Sequence, residues 1–581
     1  MVDSTDGKGT TTDPGDTGDT RDTAAVDTEA GQPGQLQRSP MSLVQRCFLG
    51  LVLSLVLFIV ALEQTVVTAS LPQISAAVNS ANGYTWIGTA YILASASVMT
   101  VIGKMADIFG RKTCLLGSVL LFVIGSAIAG AAQSMNMLIG ARVVQGLGSG
   151  GVVTLIEIVI SDLIPLHQRG LFMGFIGSTW MIANGVGPLI GGALTQVGQW
   201  RWCFLLNVPI GGVSFVAMFF LLKLQTHGDS TNFKQKLLRI DWIGMILSIG
   251  ATCLLLLAFD WGGTTHPWDS AIIIAFLVVA AVLYIGFFIY EGLVPKEPIM
   301  PPRLFCNQTR AASLIASFFH AVSFMGVVYY LPFIFQSVYG ASPIMASVYV
   351  LPEAMLMGIA SAVGGYVISK TGRYREMMIG GLALTTAFLG LLSTLTPHSN
   401  TARRVLYPAL FGIPVGFNFN SFLISLQTRI RREDIGIATA TQAYIRQIGL
   451  SLGIAIAGVA FQNRITDLAQ SSGNDTLSSL LAGNAPSSVN EVKDLPENLR
   501  AIAEDYYMQA FRVMFYAFIG ITGVGFIACL FIPQHDLRML NDPQGSPQDS
   551  PQDSSQDSTG STDSTNSPES TDSSNSNEKT Q

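Results

Sequence analysis

Charge is what this chain has least of. Only 12% of its 581 residues are Asp, Glu, Lys or Arg, against about 25% in a soluble globular protein. That leaves too little polar surface to wrap several soluble domains. The six cysteines, at 47, 114, 203, 253, 306 and 529, never fall at a CxxC spacing, which argues against a redox or zinc motif and fits small buried hydrophobes. The six histidines form no metal-ligand cluster, so no metal or other cofactor is expected. No Gly-rich loop is followed by Lys-Ser/Thr, which excludes ATP hydrolysis by a P-loop. No signal peptide precedes the first apolar run near residue 47, which is expected to act as a signal-anchor.

What remains is apolar. The hydrophobic set makes up 49% of the chain, Gly contributes 58 residues, and the mean hydropathy is +0.45. Apolar runs recur from about residue 46 to 532, the pattern of an all-α polytopic membrane protein. The ends differ. Residues 1–40 and 541–581 hold 16 acidic residues and only Lys8, Arg21, Arg38 and Lys579 as bases, leaving 28 basic against 22 acidic in the middle. The acidic balance therefore belongs to the tails and says nothing about a ligand. Residues 541–581 lack Leu, Ile, Val and Phe and cannot offset chain entropy by burial, so both tails are expected to be disordered.

A span needs about 20 mostly apolar residues. Fourteen candidates begin near 46, 84, 113, 137, 170, 203, 241, 270, 311, 344, 377, 405, 437 and 510. Only helices satisfy their own backbone inside lipid, and the runs are too long for barrel strands. With the N-terminus inside, internal loops hold 17 Lys and Arg and external loops hold six. The positive-inside rule then places both termini in the cytoplasm. One external segment, about 461–509, is long and carries the sequon Asn474-Asp475-Thr476, a candidate glycosylation site. A second sequon at Asn307 falls inside.

The loop after the second span reads Gly103-Lys104-Met105-Ala106-Asp107-Ile108-Phe109-Gly110-Arg111-Lys112. It is a tight basic turn, with Gly103 and Gly110 permitting close approach and Asp107 able to pair with Arg111 or sit at a helix N-terminus. Contacts made only when helices close on that side can latch one conformation. This string resembles the signature loop of the major facilitator superfamily. Arg142-Val143-Val144-Gln145-Gly146 is similar to the family's second motif. Gly185-Val186-Gly187-Pro188-Leu189-Ile190-Gly191-Gly192 resembles the antiporter motif of drug:proton exchangers. Trp200-Arg201-Trp202 with Phe204, Asn207 and Pro209 is similar to the start of span 6 in that branch. Span 1, ending Leu62-Glu63-Gln64-Thr65, is similar to the fourteen-span drug:proton antiporters, which usually place Asp where Glu63 stands.

The resemblance covers about 46–532 and implies the major facilitator fold: two six-helix bundles plus two extra linking helices. The implied organisation is a cytoplasmic tail (1–45), a bundle (46–225), a linker with two helices (226–295), a second bundle (296–532) and a tail (533–581). Substrate would be held between the bundles near the midplane. Gly185, Gly187, Pro188, Gly191 and Gly192 would let helices approach and slide, with Pro188 removing a backbone donor where the bundle must rock.

Ionisable groups within spans are costly and default to functional hypotheses. Glu63 and Arg142 each lie about five residues from the outer end of a span, roughly 7 Å deep. They are a candidate pair, with Glu63 either a proton-coupling site or a structural partner of Arg142. Glu157 is expected to pair with the basic loops, with Arg111 as the candidate partner. Glu353 reads as a salt-bridge or cavity-rim residue or as a functional acid. Arg446 is expected to snorkel inward. His320 is either simply hydrogen-bonded or titratable near neutral pH. Trp180, Asn184, Tyr330, Asn418 and Gln442 are candidate lining for a large apolar cavity, or helix-packing residues.

The expectation is a proton-coupled exporter of hydrophobic or amphipathic small molecules, such as fungal toxins or drugs, working in the cell membrane or a vesicular one. A polar-metabolite or siderophore transporter and a non-transporting sensor are the alternatives, and an enzyme fits least. The partners expected are the substrate, protons and the bilayer. No nucleic acid or nucleotide is expected, and a monomer is favoured.

Overall fold

The computed structural model describes residues 43–77, 84–222, 236, 239–263, 265–295, 298–428, 430–431, 434–481 and 489–534. Both tails lie almost wholly outside these residues, so their expected disorder is not addressed by the structure. The chain divides into Met1–Phe48, of which only the beginning of the first helix is described, and one compact unit, Leu49–Gln581.

Helices account for nearly all of the described chain. In order they are α1 (Leu43–Ala77), α2 (Tyr84–Phe109), α3 (Arg111–Gly130), α4 (Met135–Leu163), α5 (Leu166–Gln196), α6 (Trp202–Leu205), α7 (Asn207–Leu221), α8 (Trp242–Trp261) and α9 (Ala271–Leu293). They continue with α10 (Gln308–Ser337), α11 (Pro343–Thr371), α12 (Tyr374–Ser393), α13 (Thr401–Gln427), α14 (Ile435–Ser471), α15 (Asp475–Leu481), α16 (Val489–Lys493) and α17 (Glu497–Leu530). No strand occurs among the described residues beyond one bridge between Gly262 and His266.

Among the described residues, thirteen stretches are long and apolar enough to cross a membrane, with α6 and α7 forming one of them. The fourteenth expected span is α5. It is not among the thirteen, yet its 31 residues reach about 46 Å at 1.5 Å per residue, enough to span. Its polarity is explained by its position, for it packs extensively against α11 and also touches α13. The opposite case is α9, the most apolar span, whose Ile274, Val278, Val282, Ile285 and Ile289 are exposed on the protein. That face suits lipid.

Local chemistry sets the helix ends. Ser134, Ser270, Ser342 and Asn400 each accept a backbone N–H at an N-terminus, the usual side-chain cap. Gly110 separates α2 from α3 at φ 95°, and Gly372 ends α11 at φ 72°, conformations that L side chains resist.

Within the compact unit, α4 packs on α2 and α3, and α7 packs on α3. Elsewhere α11 lies on α13, α10 on α14 and α17, and α12 on α13 and α17. Contacts between these two groups run along α5–α11 and α2–α14, while α8 and α9 pair and α8 leans on α2 and α14. The expected external loop at 461–509 is largely helical. Leu477 and Leu481 of α15, Val492 of α16, and Ala503 and Tyr507 of α17 are buried with Phe461, Phe511 and Phe515 in one core. Apolar residues at helical spacing thus extend the second group of helices beyond the span.

Candidate transport site

Glu63 sits in an apolar stretch of α1, and four helices supply what a carboxylate there requires. From α4, Arg142 Nη1 donates to Glu63 Oε1 at 2.6 Å. From the start of α7, Asn207 Nδ2 donates to Oε2. Both carboxylate and guanidinium are essentially unexposed. Arg142 is saturated further: Nε donates to the Ile87 carbonyl at 2.8 Å and Nη1 to Gln145 Oε1 at 2.7 Å. Gln145 Nε2 in turn donates to Ser126 Oγ at 2.8 Å. The Tyr91 ring lies 4.3 Å from the guanidinium carbon. Removing one member of such a pair leaves an uncompensated buried charge, whereas an intact network can hold it.

The candidate pair is therefore assembled in space, and three partners extend it: Gln145, Asn207 and Tyr91. Gln145 had a signal, since its i, i+3 spacing from Arg142 puts both on one face. Tyr91 had none, because an aromatic in an apolar span is ordinary.

The Gly-rich segment of α5 meets this site from the side. Thr65, two residues after Glu63, donates from Oγ1 to the Ala183 carbonyl at 3.4 Å. A Cβ on Gly187 would overlap Thr65 Oγ1 and lie 2.7 Å from its Cβ. Gly185 faces the other way, where an added Cβ would lie 2.7 Å from Leu351 Cδ1 of α11. Gly191 is buried, and the side of Gly192 is open. The side chain of Pro188 lies outside the described residues.

At the other end of the spans the candidate latch is closed. Asp107 pairs with Arg111, and Arg111 Nε donates to Asp162 Oδ2 at 2.8 Å. An added Cβ on Gly103 would lie 2.6 Å from Ala440 Cβ of α14. Gly110 supplies the turn. Glu157 does not join Arg111. It accepts from Arg446 of α14 at 2.7 Å, so Arg446 is paired across the interface rather than merely reaching for the surface. Asp162, one residue before the end of α4, takes the place expected for Glu157. A hub absent from the sequence reading lies nearby: buried Arg169 donates to Gln427 Oε1 at 2.7 Å, and Gln427 Nε2 donates to Ser161 and Thr439, each at 2.8 Å.

The candidate cavity residues are scattered. Trp180 packs beside Leu62 and Val66 of α1, and Asn184 is half-buried one residue from Ala183. Tyr330 lies among Phe333, Phe461 and Phe511. Asn418 faces Gly381 of α12, with both amide atoms buried and unpartnered. Gln442 donates to Ser317 of α10 at 3.1 Å. A cavity of about 140 Å³ lies elsewhere, lined by Phe335, Tyr339, Met345, Tyr349, Thr401 and Arg404. His320 is buried against Phe422, and its Nε2 has no partner. Asn474 is half-buried, and its side-chain oxygen caps α15 by accepting from Thr476 and Leu477.

A helical membrane protein with a buried ion pair beside a glycine seam, closed at one end by polar contacts between two helix groups, has the build of a secondary carrier. Residues 53–454 match the family described as Major Facilitator Superfamily, and the chain belongs to it. Among its relatives is the efflux pump dotC of Dothistroma septosporum, 38% identical over 512 residues, covering 88% of this chain and 87% of the relative. The efflux pump FUS6 of Gibberella fujikuroi is 36% identical, covering 84% and 88%. The acurin A biosynthesis cluster transporter of Aspergillus aculeatus is 34% identical, covering 88% and 93%. Solved structures share the fold at low identity. The human organic anion transporter MFSD10 is 14% identical, with a TM-score of 0.54 over 84% of this chain and 99% of that one. The proton:xylose symporter XylE is 14% identical, with a TM-score of 0.51 over 85% and 98%.

Proposed function

We propose that this chain exports hydrophobic or amphipathic small molecules, of the kind fungi make as secondary metabolites, in exchange for protons. The observation that carries the reading is Glu63, buried on Arg142 and Asn207 two residues before Thr65, which meets Gly187 of α5. Similarity to relatives named as efflux pumps supports the direction of transport.

A carboxylate held by a fixed guanidinium keeps its charge while the pair is intact. If α1, α4 and α7 shift relative to one another, the donors separate, and a buried carboxylate without them favours its protonated form. Arg142 stays charged throughout, so its part is to exchange partners. Alternating access then follows from the two helix groups rocking about α5–α11 and α2–α14. The boundaries of this reading are a first bundle at 46–225, a linker at 226–295 and a second bundle at 296–532. The basic loops face the cytoplasm, which puts both termini there, and the membrane is that of the cell surface or of a vesicle.

The test is efflux of rhodamine 6G from cells expressing the chain, with the pH gradient intact or collapsed, beside Glu63→Gln at matched surface level. Gradient-dependent efflux that Glu63→Gln abolishes is the expected result. Efflux that persists in the variant would assign proton coupling elsewhere.

A further inference from the structure

The two helix groups carry the same glycine seam. On α4, a Cβ on Gly146 would strike the Tyr91 carbonyl of α2, and one on Gly150 would strike the Ser95 carbonyl. On α13, a Cβ on Gly412 would strike the Glu353 carbonyl of α11, and one on Gly416 would strike the Met357 carbonyl. Each seam is a pair of glycines four apart against residues four apart. Superposing them in sequence puts Glu353 where Tyr91 stands, beside the charge site of the first group. Four residues before the first glycine, α4 has Arg142, whereas α13 has Pro408. The second seam thus carries a carboxylate but not the cation.

Glu353 is 1% exposed, and its Oε1 has no hydrogen-bond partner. Among the described residues, no ion pair reaches it from the elements packed on α11. On α13 the nearest cations are Arg403 and Arg404, and Arg404 begins eight residues before Gly412, about 12 Å along the helix. Arg404 is engaged with the Ser399 and Pro397 carbonyls and the Tyr339 ring. On α10, His320 packs on Phe422 and Phe324. His167 and Arg169 of α5 lie beside Gly170, which meets Gly365, three turns along α11. Arg373, Arg375 and Glu376 stand at that same end, around the start of α12. A carboxyl group this dry and this far from positive charge is stable only with its proton on.

Its level in the membrane links it to the site already described. Gly187 meets Thr65, and Gly185 meets Leu351. Glu63 lies two residues before Thr65, and Glu353 lies two residues after Leu351, each about 3 Å of helical rise away. One three-residue segment of α5 therefore touches both carboxyl-bearing helices at the height of their acids.

We propose that Glu353 is a second proton-carrying site, in the second helix group, linked to Glu63 through Gly185–Gly187 of α5. In the state with the basic-loop end closed, Glu353 is the neutral acid. When α11 shifts against α5 and water reaches it, its O–H bond breaks, the proton passes to water, and a carboxylate remains until it is protonated again from the opposite side. This rests on the proton-exchange reading above and would raise the count of protons exchanged per substrate.

The experiment uses the full chain, purified and returned to lipid vesicles. Infrared difference spectra between acid and alkaline buffer read the carbonyl band of protonated carboxylic acids, whatever the substrate. The expected result is a band at neutral pH that is lost in Glu353→Gln and kept in Glu63→Gln and in Glu353→Asp. Its persistence in Glu353→Gln overturns the proposal. The second readout is the rhodamine 6G gradient that vesicles reach under an imposed pH gradient with the membrane potential collapsed. One proton fewer lowers that limit about tenfold for each pH unit imposed, so Glu353→Gln should still transport but to a shallower limit. An unchanged limit overturns the coupling role. No dye movement by the native chain would count against the export reading alone, because the infrared band still decides the state of Glu353.

Discussion

At the scale of single residues the site is an ion pair that cannot be dismantled one charge at a time. Arg142→Met would leave Glu63 with Asn207 as its remaining donor in a dry site, and Glu63→Leu would strand Arg142. Each single change is expected to cost about 3–5 kcal/mol. The double variant removes both charges and is expected to recover most of that loss in thermal unfolding while remaining inactive in dye efflux. If the double variant unfolds as readily as the singles, the pair is not what holds α1 to α4. The members of this site were unequally visible in the sequence. Glu63 and Arg142 stand out because charge inside an apolar span is rare. The partners of Glu157 and Arg446 were not legible, since a single sequence gives the depth of a charge but not the helix it faces. Depth alone made Arg111 a fair partner for Glu157. In the structure Asp162 takes Arg111, which frees Glu157 for Arg446 on another helix.

At the scale of helices, α5 carries the argument. It is the span that composition alone underrates, because one side of it meets α1, α11 and α13 while Leu171, Phe175, Ile182 and Leu189 stay exposed on the other. Its length was legible from the run beginning near 170, and its glycines from their motif. Which neighbour each glycine admits was not, because that depends on how α5 is rotated about its axis. Gly187→Val is expected to push α5 off Thr65. Overpacking of this kind costs about 1–3 kcal/mol, and efflux should fall by at least the corresponding factor of roughly five. Thr65→Ala removes the hydroxyl that a new side chain would meet first, so Gly187→Val with Thr65→Ala should regain part of the activity. Gly192→Ala, whose added methyl meets nothing within 4 Å, should behave as the native chain. Equal loss in all three variants would mean that the motif acts through helix flexibility instead of close approach. The 461–509 segment teaches the converse lesson. Its polar stretches suggested a loop, but Leu477, Leu481 and Val492 anchor short helices to the core, and three isolated apolar residues are too few to reveal that by periodicity.

At the scale of the whole molecule, what matters is which end of the carrier is shut. The basic-loop end is sealed by two kinds of contact with different consequences. Backbone approaches such as Gly170 on Gly365, and the Leu171 N–H donating to Ser369 Oγ at 3.2 Å, are all-or-none, since they vanish once α5 and α11 part. The pairs Arg446–Glu157 and Arg169–Gln427 are graded, since long side chains can follow a small opening before they break. Glu157→Gln removes a charge-assisted contact worth about 1.5–3 kcal/mol and should shift the balance toward opening at this end, read as faster labelling of a single cysteine placed at Ser161. The stronger test uses the all-or-none contact. In a chain whose six native cysteines are replaced by Ala, Leu171→Cys with Ser369→Cys should form a disulfide on mild oxidation, because the Leu171 N–H already reaches Ser369 Oγ and the α5 and α11 backbones touch at Gly170 and Gly365, one residue before Leu171 and one turn before Ser369. Such a bond holds the basic-loop end shut. Efflux should stop on oxidation and return with reductant. If the bond forms and efflux continues, transport does not require this end to open, and alternating access about the α5–α11 seam fails for this chain.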